Sequence, residues 1–212
     1  MLFKNYKIEE FLNDLSSSSP SPGGGSSAAF VAAIAGALNN MVYSLTINKK
    51  SFEPLSKENK EKMISFEKEC KEFIKKCIEL MEEDRASFNK VMDSYKLPKN
   101  TDEEKEYRKQ KIKEKTYGAM MCPLNLCREC IKFYENIEFA IKYGNKMLVS
   151  DAGVAASLLH SVIESSIINV KINLSSLKSK SYFDEVEDEI KSLLKESNSK
   201  KENILYTVYN NI

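Results

Sequence analysis

The 212-residue chain has no tryptophan, one histidine and seven glycines, three of them consecutive. Alternating β-branched segments are nearly missing, and that absence argues against a sheet and for an all-α protein. Thirty-two Lys+Arg against 31 Asp+Glu leave a formal charge of +1. No net field therefore recommends nucleic acid or an acidic membrane as a partner. A lone histidine supplies a His-rich zinc site poorly. Five cysteines, Cys70, Cys77, Cys122, Cys127 and Cys130, are an odd number, so reduced thiols are expected rather than disulfides. Residues 1–14 lack the continuous apolar core of a signal peptide, which points to the cytoplasm. The most apolar window, residues 28–47, is rich in alanine and broken by Asn39 and Asn40. It reads as a buried helix rather than a membrane span.

What stands out is the run Pro20-Ser21-Pro22-Gly23-Gly24-Gly25-Ser26-Ser27, opening into an Ala-rich stretch from Ala28. Three glycines permit positive φ and the approach of a ligand without Cβ obstruction. Ser26 or Ser27 can cap the following helix, whose free N–H groups can receive an anion. Alanines and glycines over the next turns let other helices pack close.

The remaining pattern is helical throughout, and one domain over residues 1–212 is expected. Residues 6–15 form a short amphipathic helix with Ile8, Phe11, Leu12 and Leu15 on one face. From residue 57 to 95, Met63, Phe66, Cys70, Phe73, Cys77, Leu80, Met81, Phe88 and Met92 recur at three- and four-residue steps, one long helix of roughly 55 Å. Thr101 with Glu104 forms a capping box for the next helix. Pro123 kinks or restarts that helix. Gly144-Asn145 marks a turn, and a second small-residue helix runs from Ser150-Asp151 to about Leu177. The last segment, residues 182–212, carries an expected break at Ser197-Asn198-Ser199. The architecture is a helical bundle with two small-residue helices packed together at its centre.

Several motif matches lack their structural context. Gly23 to Ala28 fits a dinucleotide pattern and nearly a nucleophile elbow, but each requires a preceding strand that residues 16–22 cannot form. Cys122, Cys127 and Cys130 have iron–sulfur spacing on a helix without a fourth downstream cysteine, so they read as core residues and no metal is expected. His160 is a packing residue or an acid–base group. Asp84, beside Arg85, and Asp151, at a helix start where the dipole favours its charge, are the candidate carboxylates. Asn145, Asn169 and Asn173 add polar groups to an otherwise apolar centre, the last two on one helix face.

Taken in order, Pro20 to Ser26, Asp84-Arg85-Ala86-Ser87-Phe88, Leu97-Pro98, Gly144-Asn145, Ser150-Asp151 and Asn169-Val170-Lys171-Ile172-Asn173-Leu174 give the chain a resemblance to a known family. It resembles the cyclodeaminase/cyclohydrolase family of folate one-carbon enzymes. Ser87 stands where that family often has Ala, and His160-Ser161 where smaller apolar residues are expected. The resemblance implies an all-helical homodimer acting on tetrahydrofolate with a C1 group, a formiminotransferase as a possible partner, and no cofactor. The first reading is closure of 5-formimidoyltetrahydrofolate to 5,10-methenyltetrahydrofolate with release of ammonia. The alternative is hydrolysis of methenyl- to 10-formyltetrahydrofolate, and a more distant one is a helical binding module without turnover. Either reaction needs one group to give and take protons and a carboxylate near a delocalised cation. Asp151 stands first for that role, with Asp84 and His160 as the others. Gly23, Gly24, Gly25, Ser26, Asn145, Asn169 and Asn173 are the candidate substrate contacts, the glycine loop holding either the glutamate carboxylates or the pterin end.

Overall fold

The computed structural model describes residues 2–177 and 180–211, and among these the regular structure is helical with no strand. After a 3₁₀ turn, Phe3–Asn5, the helices are α1 (Ile8–Leu15), α2 (Gly24–Ser44), α3 (Lys57–Tyr95), α4 (Asp102–Tyr143), α5 (Val149–Leu177) and α6 (Lys180–Tyr209). Helix α3 has the expected limits. Helix α4 starts at the expected capping box: Thr101 Oγ1 accepts from Glu104 N at 3.2 Å, and Glu104 Oε2 accepts from Thr101 N at 3.2 Å and Asn100 N at 2.7 Å.

Helices α2 and α5 pack against each other and against α3 and α4, as their small residues imply. Both are long and apolar enough to cross a bilayer, yet about half of each such window is buried inside the bundle. Gly36 shows why the size of the residue matters. A Cβ there would lie 2.8 Å from Phe73 Cδ1 and 2.9 Å from Ile74 Cγ1, so α3 approaches α2 only because the position is bare.

Four expectations change. Helix α1 buries only Phe11, against Phe3 and Phe30, and leaves Ile8, Leu12 and Leu15 exposed. Pro123 does not restart α4. The proline is buried, and packing against α3 and α5 on both sides carries the helix across the lost N–H bond. Helix α6 runs unbroken through Ser197 to Ser199 as far as Tyr209; Ile212 lies outside the described residues. Ser197 is a buried anchor rather than a breaker. Its hydroxyl lies 2.9 Å from Tyr134 Oη and 2.8 Å from His160 Nδ1. Finally, no glycine adopts positive φ; Gly23 is extended at φ −137°, ψ −160°.

A second buried polar cluster fixes α2, α3 and α4 in register. Asn39 Nδ2 donates to Asn136 Oδ1 at 2.7 Å, Cys70 Sγ to the same oxygen at 3.2 Å, and Tyr43 Oη to the Asn136 carbonyl at 2.5 Å. Burial pushes the Cys70 thiol up to about 12. Asn39, read from the sequence as an interruption of an apolar window, is a core hydrogen-bonding residue.

Ser197→Ala tests the anchor that replaces the expected break. It strands His160 Nδ1 and leaves the Tyr134 hydroxyl only its long bond to the Ala156 carbonyl at 3.5 Å, so urea unfolding is expected to show a loss of about 1–3 kcal/mol. Stability within experimental error of wild type would return Ser197 to a passive role.

Candidate functional site

Helix α2 begins without a side-chain cap, since Gly23 occupies the cap position and offers none. Neither serine serves as that cap. Ser27 Oγ turns back to the Gly23 carbonyl at 2.8 Å, and Ser26 Oγ donates to Asp84 Oδ2 at 2.8 Å. The Ser26 backbone N–H reaches the same carboxylate. The anion at the start of α2 is thus the protein's own Asp84, delivered from α3. Free N–H groups and the positive end of the helix dipole make that a favourable seat.

Glycine is required there for space alone. A Cβ on Gly25 would overlap the Asp84 carboxylate, whereas one on Gly24 would sit 3.4 Å from the Asn169 amide, an ordinary contact. Burial pushes the Asp84 carboxyl above its ordinary 3.8, and the two Ser26 hydrogen bonds pull it partly back.

Around this carboxylate opens a groove of about 350 Å³ between the glycine loop, α3, α4 and α5. Its polar end holds Gly23, Gly24, Gly25, Asp84, Asn169 and Asn173. Asn169 Nδ2 donates to the Ser165 carbonyl and Asn173 Nδ2 to the Asn169 carbonyl, both at 2.9 Å. Each amide keeps its oxygen and one N–H for a ligand. The rest of the groove is walled by Phe88, Val91, Met92 and Tyr95, which follow Asp84 at +4, +7, +8 and +11 along one face of α3. Another hollow of about 360 Å³ between α3 and α4 is lined mainly by surface Lys and Glu and gathers no comparable polar set.

The other candidates lie elsewhere in the chain. Asp151 is eighteen residues before Asn169 on α5, about 27 Å along the axis. Asn145 caps the 3₁₀ turn Lys146–Leu148, its Oδ1 accepting from Met147 N at 3.0 Å. His160 is nine residues from Asn169, half a revolution round α5, and is buried against Ser197. Burial and Lys201 push its pKa down, with Glu164 and Glu202 opposing. The sequence pattern gave Phe88 and Met92 as apolar positions of one long helix and singled out neither Val91 nor Tyr95. Their spacing from Asp84 was the available signal.

Residues 7–192 match the family described as formiminotransferase-cyclodeaminase. The chain belongs to that family. Methenyltetrahydrofolate cyclohydrolase of Methylorubrum extorquens is 37% identical over 205 residues, 96% of each chain. Formimidoyltransferase-cyclodeaminase of Rattus norvegicus is 29% identical over 90% of this chain, which spans only 34% of the rat protein. The crystal structure of formiminotetrahydrofolate cyclodeaminase from Thermotoga maritima superposes with a TM-score of 0.78 at 25% identity, covering 98% of this chain and 96% of that one. The family's fold is therefore the fold of nearly the whole chain.

Asp84 has a consequence for stability. Because folding raises its pKa, the folded state holds the proton more tightly; that contribution is present below the ordinary value and lost as pH rises through the folded one. Asp84→Asn, neutral at every pH, is expected to melt a few degrees above wild type at pH 7, the gap closing towards pH 4. A variant less stable than wild type at pH 7 would contradict the desolvation reading.

Proposed function

We propose that the chain acts on the one-carbon bridge of tetrahydrofolate, hydrolysing 5,10-methenyltetrahydrofolate to 10-formyltetrahydrofolate with Asp84 as the group that moves the proton. The observation that carries this reading is a carboxyl with a raised pKa, held by Ser26 at the head of a groove walled by aromatic and apolar side chains. The groove suits a flat pterin and a benzoyl ring. A pKa raised above the ordinary carboxylate value by burial suits a group that must both take and return a proton.

In the hydrolysis, water adds to the methenyl carbon and gives one proton to Asp84. The tetrahedral intermediate then breaks its bond to N5, which recovers that proton from Asp84, while the hydroxyl proton leaves to solvent and the formyl group stays on N10. Ionised Asp84 also lies where it can stabilise the cationic substrate in a site of low polarity. Hydrolysis is placed ahead of ammonia release because the 37%-identical relative of matching length carries the cyclohydrolase name.

The second reading, closure of formimidoyltetrahydrofolate, is favoured by the Thermotoga structure. The same carboxyl would take the N10 proton and deliver one to the departing ammonia, with a formiminotransferase supplying the substrate. Methenyl absorbance separates the readings: loss of the chromophore supports hydrolysis, and its appearance from formimidoyltetrahydrofolate supports closure. Asp84→Asn is expected to lower kcat by about 100-fold or more, and the acid limb of the wild-type profile to lie above the usual carboxylate range. Full activity in Asp84→Asn with loss in Asp151→Asn would move the role to Asp151.

A homodimer belongs to the same proposal. Helices α2 and α5 are apolar nearly all round, yet they leave Ile34, Val154, Ile168 and Ile172 exposed, a face that one helix pair of a monomer has no reason to present to water. Gly24 and Asn169 border both this face and the groove. Val154→Glu with Ile168→Glu is expected to give a monomer by light scattering and at least tenfold lower activity. A wild-type monomer in solution would remove the dimer from the reading.

A further inference from the structure

The groove gives a folate nothing with which to neutralise its glutamate carboxylates, because Asp84 is the one charged side chain lining it among the described residues. The head around Asp84, Asn169 and Asn173 offers acceptors that suit the pterin edge and the cationic bridge, and the ionised Asp84 carboxylate repels a second anion. The carboxylates must therefore find a cation at the far end, where α3 stops.

Asp84, Phe88, Met92 and Tyr95 span eleven residues, about 16 Å of helix. At the end of that line stands Arg108, half-buried on the first turns of α4. Its Nε and Nη2 donate to the Tyr95 carbonyl at 3.3 and 3.1 Å, and its guanidinium carbon lies 5.6 Å from the Tyr95 ring centroid. These contacts fix the side chain against Tyr95, the last α3 residue that lines the groove, and leave Nη1 outside the bonds to Tyr95. Most of the acids nearest in sequence are engaged elsewhere. Glu104 caps α4, Asp102 pairs with Lys105, Glu106 with Lys109, and Glu114 with Lys111 and Lys115. Among the described residues no carboxylate pairs with Arg108. A guanidinium pinned to a groove residue, without an acidic partner, is well suited to a substrate carboxylate, which it can bind with a planar fork.

We infer that Arg108 receives a glutamate carboxylate of the substrate and so orients it, with the C1 bridge at Asp84 and the p-aminobenzoyl ring along Phe88, Met92 and Tyr95. The inference rests on the folate reading above. It assigns the glycine loop to the pterin end and makes Arg108 a specificity-determining residue remote from the reacting carbon.

The test compares the reactive tetrahydrofolate derivative with the matching tetrahydropteroate derivative, which lacks glutamate, using whichever C1 substrate is turned over. Wild type is expected to show about a tenfold lower KM for the glutamylated compound, the equivalent of about 1.4 kcal/mol. Arg108→Ala is expected to remove that advantage at unchanged kcat and leave the KM for the pteroate compound as it was. Arg108→Lys keeps the charge and is expected to restore much of the preference. Added salt should erode the preference in wild type and have little effect in Arg108→Ala.

A variant that raises both KM values equally would show Arg108 acting only through Tyr95, and one that leaves the glutamylated KM unchanged would show the carboxylate bound elsewhere; either overturns the inference while turnover keeps the folate reading intact. Loss of the preference in Lys171→Ala with Arg108→Ala normal would overturn it equally. Absence of turnover of both compounds by wild type would remove the folate reading and this inference together.

Discussion

The seating of the Asp84 carboxylate on the first turn of α2 is the contact on which the site depends. It joins α3 to α2, satisfies helix-start donors that no local side chain caps, and holds an acid in surroundings that raise its pKa. Each of these requires a bare Gly25, since a Cβ would occupy the space of the carboxylate. Two opposing influences act on that carboxyl. Burial disfavours the charged form, while hydrogen bonds from Ser26 favour it.

Close helix approach is what allows that contact to form. Small residues on α2 and α5 bring the backbones together, and Gly36 admits α3 against α2. The long α3 can then carry Asp84 to the start of α2 and continue for three turns as the wall of the groove. Two buried polar clusters, Asn39–Asn136–Cys70–Tyr43 and Tyr134–Ser197–His160, fix the helices that surround the site. Polar groups of this kind are costly when unpaired, so they hold one register of packing.

Helix periods, the capping box at Thr101 and the centrality of α2 and α5 were legible from the sequence because they follow from local chemistry. The glycine run was legible as a site of close approach. Its partner was not, since a sequence shows that room is made and not what fills it. Positive φ and a serine cap were the local explanations for Gly-Gly-Gly-Ser-Ser, and a carboxylate 58 residues further on displaced both. Ser197 misled for a similar reason. In a helix, serine reads as a weak point until a buried partner is known to face it.

The sequence by itself determined the helical class and the limits of α3, and it named the residue types from which the candidate site is built. Tertiary structure alone decided which of them meet. It placed Asp84 with Gly25, Ser26, Asn169 and Asn173, left Asp151 about 27 Å away along α5, and turned His160 to the opposite side of that helix. Periodicity fixes the face of a residue on its own helix, but the neighbour of that face is set by how closely the backbones pack, which depends on side-chain volumes distributed over the whole chain.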